Sequence, residues 1–226
     1  MILSRSVPPA QSAKPLTSLV VVIDDETEVR DSLGNLLLSV EFNVALFSSI
    51  QDFQKAKLPD VPTCMVLDVR LPGASGFDLQ SHLSRAGERI PIIFMTGYGD
   101  ISMSVRAMKA GAMDFLTKPF RDQDMLDAVT EGIARDRQRR SDDDELQAIR
   151  ALHTGLTPRE KEVMAFVTSG LLNKQIAGKM DLQEITVKIH RGNMMRKMAA
   201  RSVADLVRMA QALGLNGDSW RTKTTV

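Results

Sequence analysis

From Leu19 to about Ala134 the chain alternates short apolar runs with segments of helical periodicity, and this alternation narrows the fold more than any other feature. The strand-like runs are Leu19 to Ile23, Asn43 to Phe47, Thr63 to Asp68, Pro91 to Thr96 and Met113 to Thr117. Between them Val29, Leu33, Leu36 and Leu37 recur at helical spacing, as do Phe77, Leu79 and Leu83, then Val105 and Met108, then Leu126, Val129 and Ile133. Strands alternating with helices build a parallel sheet covered on both faces. The first run is apolar at every position, which fits burial on both sides. The expected architecture of this half is α/β, a doubly wound five-stranded parallel sheet.

Such sheets bind ligands at the carboxyl ends of their strands. Asp24 and Asp25 follow the first run, Asp68 ends the third, Thr96 ends the fourth and Lys118 follows the fifth, so all five residues fall at one edge. Two carboxylates about 4 Å apart repel by roughly 4 kcal/mol at an effective dielectric near 20. Either one retains a proton with a raised pKa, or oxygen ligands hold a hard divalent cation. Lys118 and Thr96 favour the cation, because an ammonium and a hydroxyl both suit phosphoryl oxygens. A metal, an ammonium and a hydroxyl around one carboxylate describe a site for moving a phosphoryl group onto that carboxylate. Taken singly, each strand-end acid equally suits a solvated residue or a cap on the following helix.

The 226 residues are enough for two domains, each with its own core. A formal net charge of +1 hides a strong asymmetry. Leu19 to Glu131 holds 10 Lys and Arg against 17 Asp and Glu, whereas Leu156 to Leu213 holds 10 against 5. A basic second half points to nucleic acid. Single Cys64 sits in an apolar run and reads as core. No apolar stretch approaches the roughly 20 residues that span a bilayer. Met1 to Ser18, broken by Pro8, Pro9 and Pro15, has no apolar stretch of signal-peptide length and reads as a disordered leader, so a cytoplasmic location is expected.

Residues 132–155 carry Arg135, Arg137, Arg139 and Arg140, then Asp142, Asp143, Asp144 and Glu145, with no proline, and read as a helical charged linker, solvated along its length. Four short helices follow over 156–213. Thr157 caps the first, with Pro158 at its first position, Glu160 at the capping-box position and Gly170 as its stop. Asn173 is placed to cap a second helix, Gln183 a third from Glu184 to Met198, and Ser202 a fourth. A polar tail, 214–226, reads as flexible, and Trp220 in it has no assignable role.

The runs Val21-Val22-Ile23-Asp24-Asp25, Leu67-Asp68-Val69-Arg70-Leu71-Pro72-Gly73-Ala74-Ser75-Gly76, Met95-Thr96-Gly97 and Phe115-Leu116-Thr117-Lys118-Pro119-Phe120 together resemble the receiver domain of two-component response regulators, a flavodoxin-like fold, here over 19–131. The resemblance implies that Asp68 accepts a phosphoryl group, that Asp24, Asp25, Asp68 and the main-chain carbonyl of Arg70 hold Mg²⁺, and that Lys118 and Thr96 contact phosphoryl oxygens. It implies Phe115 as the aromatic switch, although core packing is an equal reading of Phe115 alone. A cis Lys118-Pro119 bond is implied too. Arg70 and Tyr98 occupy positions that vary among receivers and tune the phosphoryl lifetime.

In the second half, Leu156-Thr157-Pro158-Arg159-Glu160-Lys161-Glu162-Val163, Gly170-Leu171-Leu172-Asn173-Lys174-Gln175-Ile176-Ala177 and Thr186-Val187-Lys188-Ile189-His190-Arg191 resemble the helix-turn-helix of LuxR-type regulators. The joined pair is similar to the NarL/FixJ family of transcription factors. Helical spacing puts Val187, Met194 and Met198 on one inward face and Ile185, Lys188, Ile189, Gly192 and Arg196 on the opposite one. That outward face suits a major groove, with Lys188 and Ile189 at base edges and Lys174, Arg191, Arg196 and Lys197 on phosphates. Gly192 either permits close DNA approach or has no role, and His190 packs on the turn or serves as a family position. The partners implied are a sensor histidine kinase, double-stranded promoter DNA, RNA polymerase and, on phosphorylation, a second copy of the chain. A regulator, and by expectation an activator, is preferred over two rivals. One is a Mg²⁺-dependent phosphohydrolase using Asp68, and the other a DNA binder whose receiver only docks proteins.

Overall fold

The structure, a computed structural model, describes residues 17–97 and 101–215. Nearly all of the expected leader and tail, with Tyr98 and Trp220, lies outside the described residues. The chain divides into two compact units, Met1–Arg140 and Ser141–Val226.

In the first unit β1 (Leu19–Ile23), β2 (Val44–Phe47), β3 (Thr63–Asp68), β6 (Ile92–Thr96) and β7 (Asp114–Thr117) form one sheet in the order β2-β1-β3-β6-β7, with every pairing parallel. A two-residue hairpin, β4 (Arg70–Leu71) and β5 (Ala74–Ser75), follows β3. Side chains alternate across a strand, so the sheet has two apolar faces. Val21, Ile23, Met65 and Leu67 face α2 (Ile50–Lys55), α3 (Gly76–Ala86) and α4 (Ile101–Lys109). Val20, Val22, Cys64 and Val66 face α1 (Thr27–Ser39) and the start of α5 (Asp122–Thr154). This is the doubly wound sheet expected from the sequence.

Two local features differ from the expectation. The short helix α2 was not foreseen; Ser49 caps it by accepting the Asp52 N–H at 3.2 Å. Val105 and Met108 do lie on a helix, but they face outward with Ile101, which is 84% exposed. The inward side of α4 is made by Ala107 and Met103.

The residues read as a solvated linker are divided between the two units. Ile133 is buried against the sheet. Asp136, only 1% exposed, accepts the Thr63 N–H at 2.9 Å, Arg140 Nε at 2.8 Å and Arg139 through Nε at 3.0 Å and Nη2 at 2.6 Å, while Arg140 also reaches Asp60. Burial alone would raise the Asp136 pKa, and these donors hold it below the usual carboxylate range instead. Farther along α5, Ile149 belongs to the core of the second unit. The charge run is thus a helix with a buried face at each end.

Gly132 makes the first of those contacts possible. A Cβ there would lie 2.5 Å from Cys64 Sγ and 3.3 Å from Met113 Sδ. Burial pushes the Cys64 thiol up to about 12, so it stays protonated and acts as core.

The second unit contains α6 (Pro158–Thr168), α7 (Asn173–Met180), α8 (Glu184–Lys197) and α9 (Val203–Ala212) around Val163, Ile176, Val187, Met194, Met198 and Leu206. The Thr157 capping box forms as expected: Thr157 Oγ1 accepts the Glu160 N–H at 3.3 Å and Glu160 Oε2 accepts the Thr157 N–H at 2.8 Å. Glu160, 3% exposed, also accepts from Lys197 Nζ at 2.7 Å, which ties the start of α6 to the end of α8. Ser202 caps α9 by accepting the Asp205 N–H at 3.1 Å. Asn173 is not a cap. Leu172 holds the N-cap position, its N–H bonded to Gln175 Oε1 at 2.8 Å, and Asn173 Oδ1 accepts from Arg191 instead. Gln183 occupies the N-cap of α8 without a side-chain bond. Among the described residues no helix is long and apolar enough to cross a membrane.

Two predictions follow from this packing. Gly132→Ala should destabilise the first unit by about 1 to 3 kcal/mol through overpacking. Cys64→Ala in the same chain should recover part of that loss, a coupling that a double-mutant cycle of urea midpoints would detect; strictly additive effects would mean the contact is not strained. The second concerns Glu160, whose pKa is lowered first by its hydrogen bond from Lys197. A depressed carboxylate stabilises the fold above its ordinary pKa, about 4.3, and that contribution disappears as pH falls through the folded value. Glu160→Gln should therefore cost the second unit about 1 to 3 kcal/mol at pH 7. The gap to the parent should narrow below about pH 4, as followed by calorimetry across pH.

Candidate functional site

Strand register explains why the predicted residues meet. Ile23 pairs with Leu67, so Asp24 leaves β1 beside Asp68 at the end of β3. Asp68 pairs with Met95, which puts Thr96 one residue beyond it on β6. Thr96 pairs with Thr117, and the next N–H, that of Lys118, donates to the Thr96 carbonyl at 2.8 Å. Lys118 is thereby aimed back across the edge, after which the chain turns through a cis Lys118-Pro119 bond.

The Lys118 ammonium bridges the two buried acids. Nζ lies 2.7 Å from Asp24 Oδ2 and 2.7 Å from Asp68 Oδ2, with Glu26 Oε1 farther off at 3.7 Å. The other carboxylate oxygens accept backbone N–H groups, Asp24 Oδ1 from Glu26 at 2.8 Å and Asp68 Oδ1 from Arg70 at 2.8 Å. Burial pushes the Asp24 pKa up, against the pull of Lys118 and the Glu26 N–H. Burial pulls Lys118 down, and the bonds from Asp24 and Asp68 more than reverse it, leaving its pKa raised.

Asp25 is exposed, yet one oxygen each from Asp24, Asp25 and Asp68 lie within 4.8 Å of one another. Three carboxylates against one ammonium leave an excess of negative charge among hard oxygen donors. That donor set fits Mg²⁺, which prefers a few carboxylates together with waters and phosphate oxygens.

Thr96 is buried at 1% exposure, and Phe115 is half-buried, packed at the margin of the core that α4 covers. Two further residues belong to the pocket's construction although sequence reasoning did not single them out. Arg30 donates to the Asp24 carbonyl at 2.7 Å and so fixes the backbone after β1. Gly76 opens α3 where a Cβ would come 2.6 Å from the Asp68 carbonyl oxygen. The run Pro72-Gly73-Ala74-Ser75-Gly76 carried that second signal, since a glycine in the first turn of a helix often marks a close backbone approach.

In the second unit α7 and α8 are joined through Asp181, which adopts a left-handed φ of 53°. On α8 the expected inward residues Val187, Met194 and Met198 are fully buried. Ile185 and Ile189 are more than half exposed, and Lys188, Gly192 and Arg196 are exposed beside them. A Cβ at Gly192 would meet nothing within 4 Å, so the core does not explain this glycine. His190 is half-buried. Lys188 lies 3.6 Å from exposed Glu184, one helical turn back.

The four cations read as phosphate contacts differ in their surroundings. Lys174 is exposed, and Arg196 is exposed with a 3.0 Å bond to Asn193. Arg191 donates to Asn173 at 2.8 Å and holds α8 against α7, whereas Lys197 is engaged by Glu160.

Comparison with known proteins agrees with both halves of this geometry. Residues 20–130 match the response regulator receiver domain, and residues 154–210 match the bacterial regulatory proteins of the luxR family. Nodulation protein W of Bradyrhizobium diazoefficiens is 51% identical over 201 residues, which cover 89% of this chain and 88% of that protein. The transcriptional regulatory protein FixJ of the same organism is 42% identical over 201 residues, 88% of this chain and 97% of FixJ. Among solved structures, the response regulator StyR superposes with a TM-score of 0.78 at 44% identity, covering 86% of this chain and 98% of StyR. With a receiver followed by a LuxR-type helix-turn-helix, matched along nearly the whole length of such relatives, the chain belongs to the NarL/FixJ family of response regulators.

Proposed function

We propose that Asp68 is the phosphoacceptor of this response regulator and that its phosphorylation by a sensor histidine kinase controls dimerisation and promoter binding. The observation that carries the reading is the Lys118 ammonium held 2.7 Å from both Asp24 and Asp68 at the carboxyl edge of the sheet. Asp24, Asp25, Asp68 and the main-chain carbonyl of Arg70 would hold Mg²⁺ there. Bound, the ion supplies charge neutralisation at the phosphoryl oxygens.

In the transfer step an Asp68 carboxylate oxygen attacks the phosphorus of a phosphohistidine. The P–O bond forms as the P–N bond breaks, and the imidazole departs with its electron pair. Lys118 then exchanges its bond to Asp68 for a phosphoryl oxygen, and Thr96 turns its hydroxyl toward another. Phosphorylation replaces the single negative charge of the Asp68 carboxylate by an acyl phosphate of roughly −1.5 to −2 and sets new phosphoryl oxygens before the Lys118 ammonium, so these movements are electrostatically driven. Phe115 and Met103 of α4 both pack against the same core, which would let Phe115 pass the change to that helix. The outward apolar stripe Ile101, Val105 and Met108 supports a self-pairing surface made by α4, β7 and the first part of α5.

Pairing would place two copies of α8 on two half-sites at once and raise their effective concentration. Lys188 and Ile189 would meet base edges, Ile189 against a thymine methyl, while Lys174 and Arg196 meet phosphates. Lys197, engaged by Glu160, and Arg191, engaged by Asn173, would meet phosphates only alongside those intramolecular partners. As an activator the protein would then contact RNA polymerase from its promoter site.

Asp68→Asn should abolish labelling by acetyl phosphate and remove the phosphodonor-dependent gain in promoter affinity, read by gel filtration and footprinting. Labelling of the variant at another residue would refute the assignment. Lys188→Ala should weaken binding to the specific site by about 1 to 3 kcal/mol while leaving random DNA nearly unaffected. Equal loss on both DNAs would make Lys188 a phosphate contact.

A further inference from the structure

Gln80 on α3 is buried at 5% exposure, and only half of its amide is satisfied. Nε2 donates to the Ala110 carbonyl at 3.1 Å, whereas Oε1 has no partner among the described residues. A buried acceptor left unmade is costly and calls for an explanation. Gln80 lines a cavity of about 560 Å³ that lies wholly within the first unit. That volume falls in the range of small-molecule sites, roughly 300 to 1,000 Å³. The cavity sits at the amino ends of β6 and β7, the edge of the sheet opposite Asp68.

Its wall has three chemical parts. Leu83, Ile92 and Met113 provide an apolar surface, Gln80 Oε1 an acceptor, and Arg89 and Arg135 two exposed guanidiniums. Among the described residues neither Arg89 nor Arg135 has a side-chain hydrogen bond or ion pair. The lining also holds two acids, Glu88 and Asp136, and Asp136 is engaged by the third lining arginine, Arg139, and by Arg140. A guanidinium matches a carboxylate in geometry and charge.

We infer that this cavity binds a small carboxylic acid that carries a hydroxyl or amino donor on a compact apolar body, its donor on Gln80 Oε1 and its carboxylate on Arg135 and Arg89. Arg135 lies on α5 within two turns of the boundary between the units, and none of the residues at the phosphoacceptor lines this cavity.

Two-dimensional ¹H–¹⁵N spectra of the full-length protein test this with salicylate, 4-hydroxybenzoate and 2-aminobenzoate as probes, and with benzoate and phenol as controls that each lack one group. At least one probe should saturate at millimolar concentration or below, shifting the Gln80 side-chain amide and the Ala110 and Gly111 backbone signals, with benzoate and phenol at least fivefold weaker. Gln80→Leu and the surface change Arg135→Ala should each weaken the probe at least fivefold, and Asp68→Asn should not. Arg135→Ala keeps the test valid should Gln80→Leu fail to fold. Absence of saturable shifts with every probe, or binding indifferent to Arg135→Ala, would overturn the inference and leave water as the partner of Oε1.

Discussion

Two buried carboxylates at the end of adjacent parallel strands would drive the sheet edge apart, and the Lys118 ammonium between them is what permits the arrangement. Its position is dictated by register, because the Lys118 N–H continues the β6–β7 pairing onto the Thr96 carbonyl. One cation cannot neutralise Asp24, Asp25 and Asp68 together, so the pocket keeps a negative balance. A hard divalent ion would, on the proposed reading, complete that balance, and a phosphoryl group would then compete for the same ammonium. On the proposed reading, the bond that makes the acidic edge tolerable in the resting protein is the one surrendered on activation.

Such exchange requires the backbone to stay still while side chains move. Asp68 is held on both sides: Val69 donates to the Met95 carbonyl at 3.0 Å, and Gly76 leaves no side chain where the Asp68 carbonyl passes. Arg30 does the same for Asp24 through its carbonyl. Phe115, by contrast, is only half-buried at the margin of the core and has room to change its packing. On the proposed reading, a firmly held acceptor and a more loosely packed reporter belong to the same sheet, two strands apart.

Much of this was legible in the sequence for a physical reason. Acids and a lysine directly after apolar runs can only gather at one edge once the strands are parallel, and the capping box from Thr157 to Glu160 is a local pattern of four residues. What escaped reading depended on distant partners. Asp136 looked like one more charge in a solvated run, yet it is buried against Thr63, 73 residues away in sequence. The ion pair of Lys197 with Glu160, 37 residues back, was not foreseen beside its reading as a phosphate contact. Asn173 has cap chemistry, but Arg191, one helix later, claims its oxygen. On α4 periodicity identified an apolar stripe without revealing that the stripe faces out, since direction depends on how small Ala107 seats the helix on the sheet.

That outward stripe also sets the scale on which a phosphoryl group can act. Complete burial of a Val, Ile or Met side chain contributes about 1.5 to 3 kcal/mol, and these three are already part-covered, so each copy has roughly 3 to 4 kcal/mol left to gain. A symmetric pair would therefore gain about 7 kcal/mol against an association cost of some 4 to 15. Pairing through this face is then marginal on its own, neither permanent nor negligible. Moving such an equilibrium from 1:99 to 99:1 takes about 5.5 kcal/mol. A larger apolar face would pair regardless of Asp68, and a polar one would not pair at all. On the proposed reading, the modest size of the stripe is what would let a single carboxylate govern pairing.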